Sequence, residues 1–397
     1  MQPTLPPSAA DRTTGRDSGS DPGVVVVFSD GTAAVRIMPL EGGRLELGRA
    51  EGSAGQLDDG RVSRSHALVA REGGRWLVTD LGSQNGTFVD GERVLPRAQT
   101  PVARVLRVGD TLVVPCDDVR PIERAGLRTV DGVVRGPAMQ AAVADAERAG
   151  RAAAGAGPAM LHVRGETGTG KEGVAQAFHR AAGRGGHLLV AVNCSAIPHG
   201  LADRLLFGAR RGTSSGIAAD AVGYVQEADG GTLFLDEITA LEPAVQAKLL
   251  RVLESREVRP LGASKPRKVD FALCSATSKD LRALIAAGAL REDLYARIAT
   301  PVVMLPALRD RPEEIPALIA QELGRQSPAL VPHVSLVEQC LLRPWPGNVR
   351  ELVAEVRAAA HAAAGAVGPD GQRVMAAHLS ATAGTVSSPG SEGGTAK

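Results

Sequence analysis

The stretch GETGTGK, Gly165 to Lys171, has glycines spaced so that backbone N–H groups can close around phosphate oxygens. It follows a strand-like run, PAMLHVRG, and opens a helix-like one, KEGVAQAFHRAA, whose N-terminal dipole favours an anion. Lys171 is placed to reach the β- and γ-phosphates of ATP, with Gly165, Glu166, Thr167, Gly168, Thr169 and Gly170 forming the cradle before it. About sixty-five residues on, the apolar run GTLFLDE ends in Asp236 and Glu237. Asp236 is placed to hold magnesium (Mg2+), and Glu237 to orient or activate the water that attacks a γ-phosphate. The two motifs together point to an ATPase. One residue departs from the generic pattern: Glu172 follows the lysine where a Ser or Thr usually touches magnesium.

A second set of residues suits phosphate of another kind. Arg49 closes RLELGR; Ser63, Arg64 and His66 lie in SRSH; Asn85 and Gly86 form an asparagine-glycine turn. Each set falls between strand-like runs, so loops at one end of a β structure can bring them together. Arginine supplies forked donors for a phosphate group, and Ser and Asn add neutral hydrogen bonds.

The elements that must position these residues fall into two patterns. From Val24 to about Val114, short β-prone runs such as VVVVF, HALVA and RWLVTD alternate with turn signals and predict an all-β sandwich. Beyond residue 131, strand-like runs alternate with helical ones, which predicts an α/β domain on a parallel sheet. The expected layout is a disordered tail over 1–22, the sandwich over 23–118 and a linker over 119–130. An α/β ATPase region over 131–311, a helical lid over 312–380 and a second disordered tail over 381–397 follow. The net charge of +1 gives no global field toward nucleic acid or membrane. The first residues lack the apolar core of a secretion signal, and no apolar run is long enough to span a bilayer, so a cytoplasmic protein is expected. Four scattered cysteines without a CxxC pair predict free thiols rather than a zinc site.

Residues 24–116 resemble a forkhead-associated (FHA) domain, on the ordered trio GR, SxxH and NG. The resemblance implies binding to phosphothreonine proteins. Arg49 and Ser63 would hold the phosphate with help from Arg64, Asn85 would fix the peptide backbone, and His66 would brace the loop. Gln84 stands where a threonine is more usual.

Residues 131–360 closely resemble the AAA+ domain of bacterial activators of sigma-54 RNA polymerase, through GETGTGKE, VAVNCSAI, GGTLFLDEI, LREDLYARI, LPALRDR and WPGNVREL in that order. In that family a glutamate after the P-loop lysine is the norm. The resemblance makes Asn193 the switch that repositions the catalytic glutamate, and Thr277 the first sensor, followed here by Ser278. Arg350 becomes the second sensor. Arg291 and Arg297 become fingers reaching a neighbour's γ-phosphate, which implies a homo-oligomeric ring, by analogy a hexamer. Ala272 stands where an arginine is usual. The loop that pushes on sigma-54, GAFTGA in the family, reads Gly212, Thr213, Ser214, Ser215, Gly216, Ile217 here. Serine in place of the aromatic removes most of an apolar anchor. No helix-turn-helix is legible after Ala364, so tethering to DNA is expected to be absent or supplied by a partner.

Overall fold

The computed structural model describes residues 20–153, 159–213, 219–364 and 372–385. The chain divides into two compact units, one of residues 1–30 and 34–124, the other of residues 125–397 with 31–33.

The first unit is a sandwich of two sheets. One sheet runs in the order Thr32–Pro39, Gly23–Ser29, Thr111–Cys116, Leu106–Val108, Thr87–Val89, Glu92–Arg93. The other runs Gly55–Gln56, Arg44–Gly48, Ala67–Glu72, Arg75–Asp80, Gln99–Pro101. Alternation builds the core: Leu45 and Leu47 are buried while Arg44 and Glu46 face water, and Val24, Val26, Val69, Val78, Leu106 and Val113 fill the space between sheets. Gly48 ends its strand against the Arg64 carbonyl, which would lie 2.1 Å from an added Cβ. Any larger residue there would force apart the strand and the loop that carries Ser63.

The segment expected as a linker is more ordered than its composition suggests. Asp118 accepts hydrogen bonds from the Arg120 backbone and guanidinium, and a helix, Arg120–Ala125, follows. Arg128–Val130 then pairs with Val133–Arg135 across an Asp131–Gly132 turn in which both residues have positive φ.

In the second unit the parallel sheet has the order Leu189–Asn193, Thr232–Asp236, Ala272–Thr277, Met160–Arg164, Val302–Met304. Ala272–Thr277 is buried along its whole length, as a central parallel strand covered on both faces must be. Leu161, Val163, Val174 and Phe178 pack in one cluster; Val192, Leu233, Leu249 and Leu253 pack in a second. The carboxyl ends of the strands bring Asn193, Asp236, Thr277 and the phosphate loop to one edge, where open α/β sheets bind ligands.

The lid carries helices Ile315–Gln326, Val334–Leu342 and Asn348–Ala364. The chain returns to it through Gln372–Val374, which pairs in parallel with Leu330–Pro332. The tail expected from residue 381 therefore starts as packed structure. Arg343 donates to the carbonyls of Ser380 and Ala383, and the buried Trp345 ring lies against Gly384, leaving 2.8 Å to an added Cβ. No helix among the described residues is long and apolar enough to cross a membrane.

Candidate functional sites

A cavity of about 540 Å³ opens at the carboxyl edge of the sheet. Its polar wall is the loop Thr167–Gly170 with Lys171 and Glu172, joined by Asn193, Ser195, Asp236 and Glu237. Its apolar wall includes Val133, Val134, Met139, Val143 and Leu318, and Arg350 reaches it from the lid. The cavity thus joins a polar wall to an apolar one, in a volume that suits a small-molecule ligand.

Backbone conformation shapes the polar wall. Gly168 and Gly170 have φ of 78° and 104°, values that L side chains rarely adopt, and Gly170 caps the helix Lys171–His179. The first turn of that helix, Lys171 to Val174, lines the cavity. Lys171 is buried, and its ammonium donates to the carbonyl of Gly165 at 3.1 Å, with Asp236 3.9 Å and Glu237 3.6 Å away. Glu237 sits just past the strand with φ 50°. Its carboxylate accepts from the Thr277 hydroxyl at 3.3 Å and from the Ser278 N–H at 3.2 Å. Asn193 is turned elsewhere: its carbonyl oxygen accepts from the N–H and hydroxyl of Ser195 at 3.0 and 2.7 Å. Next to it Cys194 is buried, and burial pushes its thiol up to about 12. No cysteine is in a disulfide among the described residues; Cys274 and Cys340 are also buried and Cys116 is half-buried.

Several expected residues lie off the cavity wall. Glu166 turns away from the cavity and pairs with Arg309. Arg291 and Arg297 are exposed on the segment around helix Glu292–Ile298; Arg291 pairs with Asp293 through Nε and Nη2 at 3.0 and 2.7 Å. Thr277 bonds Glu237 and does not line the cavity. Of the six residues aligned with the sigma-54 loop, Gly212 and Thr213 are described, and Thr213 donates to the Arg210 carbonyl. Ser214, Ser215, Gly216 and Ile217 lie outside the described residues.

Three residues that motif reading left without roles help build this site. Asn348 is fully buried with φ 52° and joins the lid to the phosphate loop. Arg309 holds Glu166. Arg311, 2% exposed, donates to the Thr169 carbonyl and to Glu314, whose carboxylate in turn accepts from the Gly136 N–H. The signal available in sequence was their position within LPALRDR and WPGNVREL.

In the sandwich, the three loops converge. The Arg49 N–H donates to the Ser63 carbonyl at 2.9 Å, and the Gln84 N–H donates to the Ser63 hydroxyl at 3.1 Å. Asn85 donates its amide to the Arg61 carbonyl at 2.7 Å. His66 is buried beneath them. Its Nδ1 accepts from the Ser63 N–H, which leaves Nε2 to donate to the Gly86 carbonyl at 3.2 Å. Burial lowers the His66 pKa against the opposing pull of that carbonyl and of Asp80 and Asp59, which fits the neutral tautomer. The Arg49 guanidinium donates to the Val62 carbonyl but stays exposed, as does Arg64. Two guanidinium groups and a hydroxyl whose proton is free to donate outward thus share one end of the sandwich.

Residues 45–114 match the family described as FHA domain, and residues 133–304 match the one described as Sigma-54 interaction domain. The hydrogenase transcriptional regulatory protein HoxA of Bradyrhizobium diazoefficiens is 45% identical over 200 residues, covering 49% of this chain and 41% of that protein. The transcriptional regulatory protein GlrR of Escherichia coli is 41% identical over 196 residues, 48% of this chain and 44% of that protein. The chain thus spans less than half the length of these curated relatives. Among solved structures, NtrX from Brucella abortus in complex with ADP superposes with a TM-score of 0.55 at 31% identity, over 62% of this chain and 54% of that one. Its complex with ATP gives 0.56 at 30% identity, over 64% and 57%.

Proposed function

We propose that this chain, which joins an FHA domain to a Sigma-54 interaction domain, is an ATP-hydrolysing regulator that acts on sigma-54 RNA polymerase and answers to phosphothreonine-bearing proteins. The observation that carries the reading is the meeting of Lys171, Asp236 and Glu237 within 4 Å of Lys171 Nζ in the cavity beneath Arg350. The similarity to NtrX, solved with both ATP and ADP, supports nucleotide as the ligand.

Bound ATP would draw the Lys171 ammonium from the carbonyl of Gly165 onto its outer phosphate oxygens, where a full charge is the better partner. Asp236, partly exposed at the strand end, is the residue that would hold Mg2+ beside bound phosphates. No group of three or more metal-ligating side chains is found among the described residues. Mg2+ held at Asp236 would supply positive charge beside the phosphates. Glu237, fixed by Thr277 and Ser278, orients the attacking water. Arg350 lies where it can register the outer phosphate. Arg291 and Arg297, exposed and off this chain's own cavity, suit a neighbour's site in a ring.

At the sandwich end, Arg49, Ser63 and Arg64 hold the phosphate of a phosphothreonine, and Asn85 holds the loop against Arg61 while facing the peptide. Serine at position 214, where the sigma-54 contact loop of the family carries an aromatic, favours a second reading: an ATPase of the same design whose protein target is different. Phosphate release from ATP by the full chain tests the common core. Turnover by the unmodified protein, lost in Lys171→Ala with its nucleotide binding and lost in Glu237→Gln without it, is expected. An unmodified chain that binds ATP and never hydrolyses it at any concentration sinks the enzyme reading.

A further inference from the structure

We infer that Glu166 is a positioning residue of the ATPase site: its carboxylate ties the phosphate loop to the lid through Arg309 and Asn348, and so holds Arg350 at the mouth of the phosphate cavity. This rests on the ATPase reading above and names how nucleotide state reaches the lid.

A backbone cradle for phosphate needs no particular side chain at its second position, and a carboxylate beside a triphosphate opposes binding. Glu166 is that residue, and its charge is turned outward and neutralised. Arg309 grips it with two parallel hydrogen bonds, Nη1 to Oε2 at 2.9 Å and Nη2 to Oε1 at 2.6 Å. The Asn348 amide adds a third at 3.1 Å and also donates to the Thr167 carbonyl at 3.0 Å. The Asn348 carbonyl oxygen accepts from the Leu308 N–H at 2.7 Å, so the same side chain holds the turn that carries Arg309. Hydrogen bonding by Arg309, with Asn348 adding to it against the effect of burial, keeps the Glu166 carboxyl below its ordinary range and therefore ionised.

What the joint positions follows from chain geometry. Asn348 is the first residue of the helix Asn348–Ala364, and Arg350 lies within the first turn of that helix. The preceding Gly347 presses its carbonyl onto Gly168, where an added Cβ would lie 2.0 Å away. Phosphate loop, hinge turn and lid helix thus meet at one joint, buried at Asn348 and open to water at the Glu166–Arg309 pair. Any shift of the loop as phosphate enters or leaves is passed to Arg350 through two side chains.

A double-mutant cycle on the full chain tests this, reading ATP and ADP affinities separately by displacement of a fluorescent ADP analogue. E166Q keeps the shape of the side chain but loses the ion pair. R309M breaks the same joint from a side that lines no part of the main cavity. Each should weaken ATP relative to ADP about fivefold, and each should add less than about twofold once Arg350→Ala is present. Loss of both nucleotides alike, additive effects with Arg350→Ala, or an Arg350→Ala ratio equal to that of the unmodified chain each overturn the proposal. Failure of the unmodified chain to bind either nucleotide overturns the ATPase reading and this one with it.

Discussion

Asn193 and Glu237 stand at the ends of neighbouring strands, yet different partners hold them: Asn193 is bound to Ser195, while Glu237 is bound to Thr277 and the Ser278 N–H. The Glu237 pose is therefore set from the sensor strand Ala272–Thr277 rather than from the strand that ends in Asn193. Thr277→Val removes a hydrogen bond to a charged group and should lower kcat about tenfold with KM within about twofold. Asn193→Ala should lower kcat less. Steady-state phosphate release on both variants decides it; the reverse order would place control with Asn193.

Arg297 is exposed and absent from the wall of its own chain's cavity. Arg297→Ala should cut turnover by about 10³ while leaving ATP affinity intact. Mixed with Glu237→Gln, itself inactive, it should regain measurable turnover, because each Arg297→Ala subunit keeps its own glutamate and borrows a neighbour's arginine. No recovery on mixing would argue against action between subunits.

The sandwich site makes its own forecast. Arg49→Ala and Ser63→Ala should each weaken binding of the best phosphothreonine peptide from an oriented library at least about tenfold. The unphosphorylated peptide should not bind. Arg49 is exposed, so its removal should leave the melting temperature of the full chain unchanged. Titration by fluorescence anisotropy checks the affinities, and equal affinity for both peptide forms would remove phosphate from the account.

How much of this was legible in sequence depended on distance along the chain. Glycine spacing, Lys171, and the acids closing an apolar strand are local signals, and each lies where local chemistry puts it. The knot around Glu166 was not legible, because Arg309 and Asn348 lie 143 and 182 residues away from it and meet it only through the sheet order. Composition misled over residues 119–130: they read as linker, although Arg120–Ala125 is a helix with Arg120 held by Asp118, and Asp131–Gly132 carries a hairpin signal. The return of Gln372–Val374 onto Leu330–Pro332 had no local signature either, since three-residue strands are specified by their partners.

Acid should weaken the second unit through His162. This residue is fully buried in the sheet, bonded at Nδ1 to the Ser275 hydroxyl at 2.9 Å, with no partner at Nε2. Burial, with the charge of Arg164 adding, lowers its pKa from 6.5 to about 4. Above pH 6.5 both folded and unfolded chains leave it neutral. Between 6.5 and 4 the unfolded chain takes the proton and the folded one does not, so stability falls as pH falls, by up to about 3 kcal/mol. His162→Leu, whatever its stability at neutral pH, should lose this part of the slope in denaturant unfolding over that window. An unchanged slope would assign the acid sensitivity elsewhere.

The most direct test of the central claim is capture of sigma-54 by the full chain trapped with ADP and a metal fluoride, with ATP turnover measured on the same preparation. A stable complex should form with the unmodified protein and fail to form with Lys171→Ala. A preparation that hydrolyses ATP but never holds sigma-54 would contradict the claim, and would give the motor a different partner at the segment Gly212–Ile217.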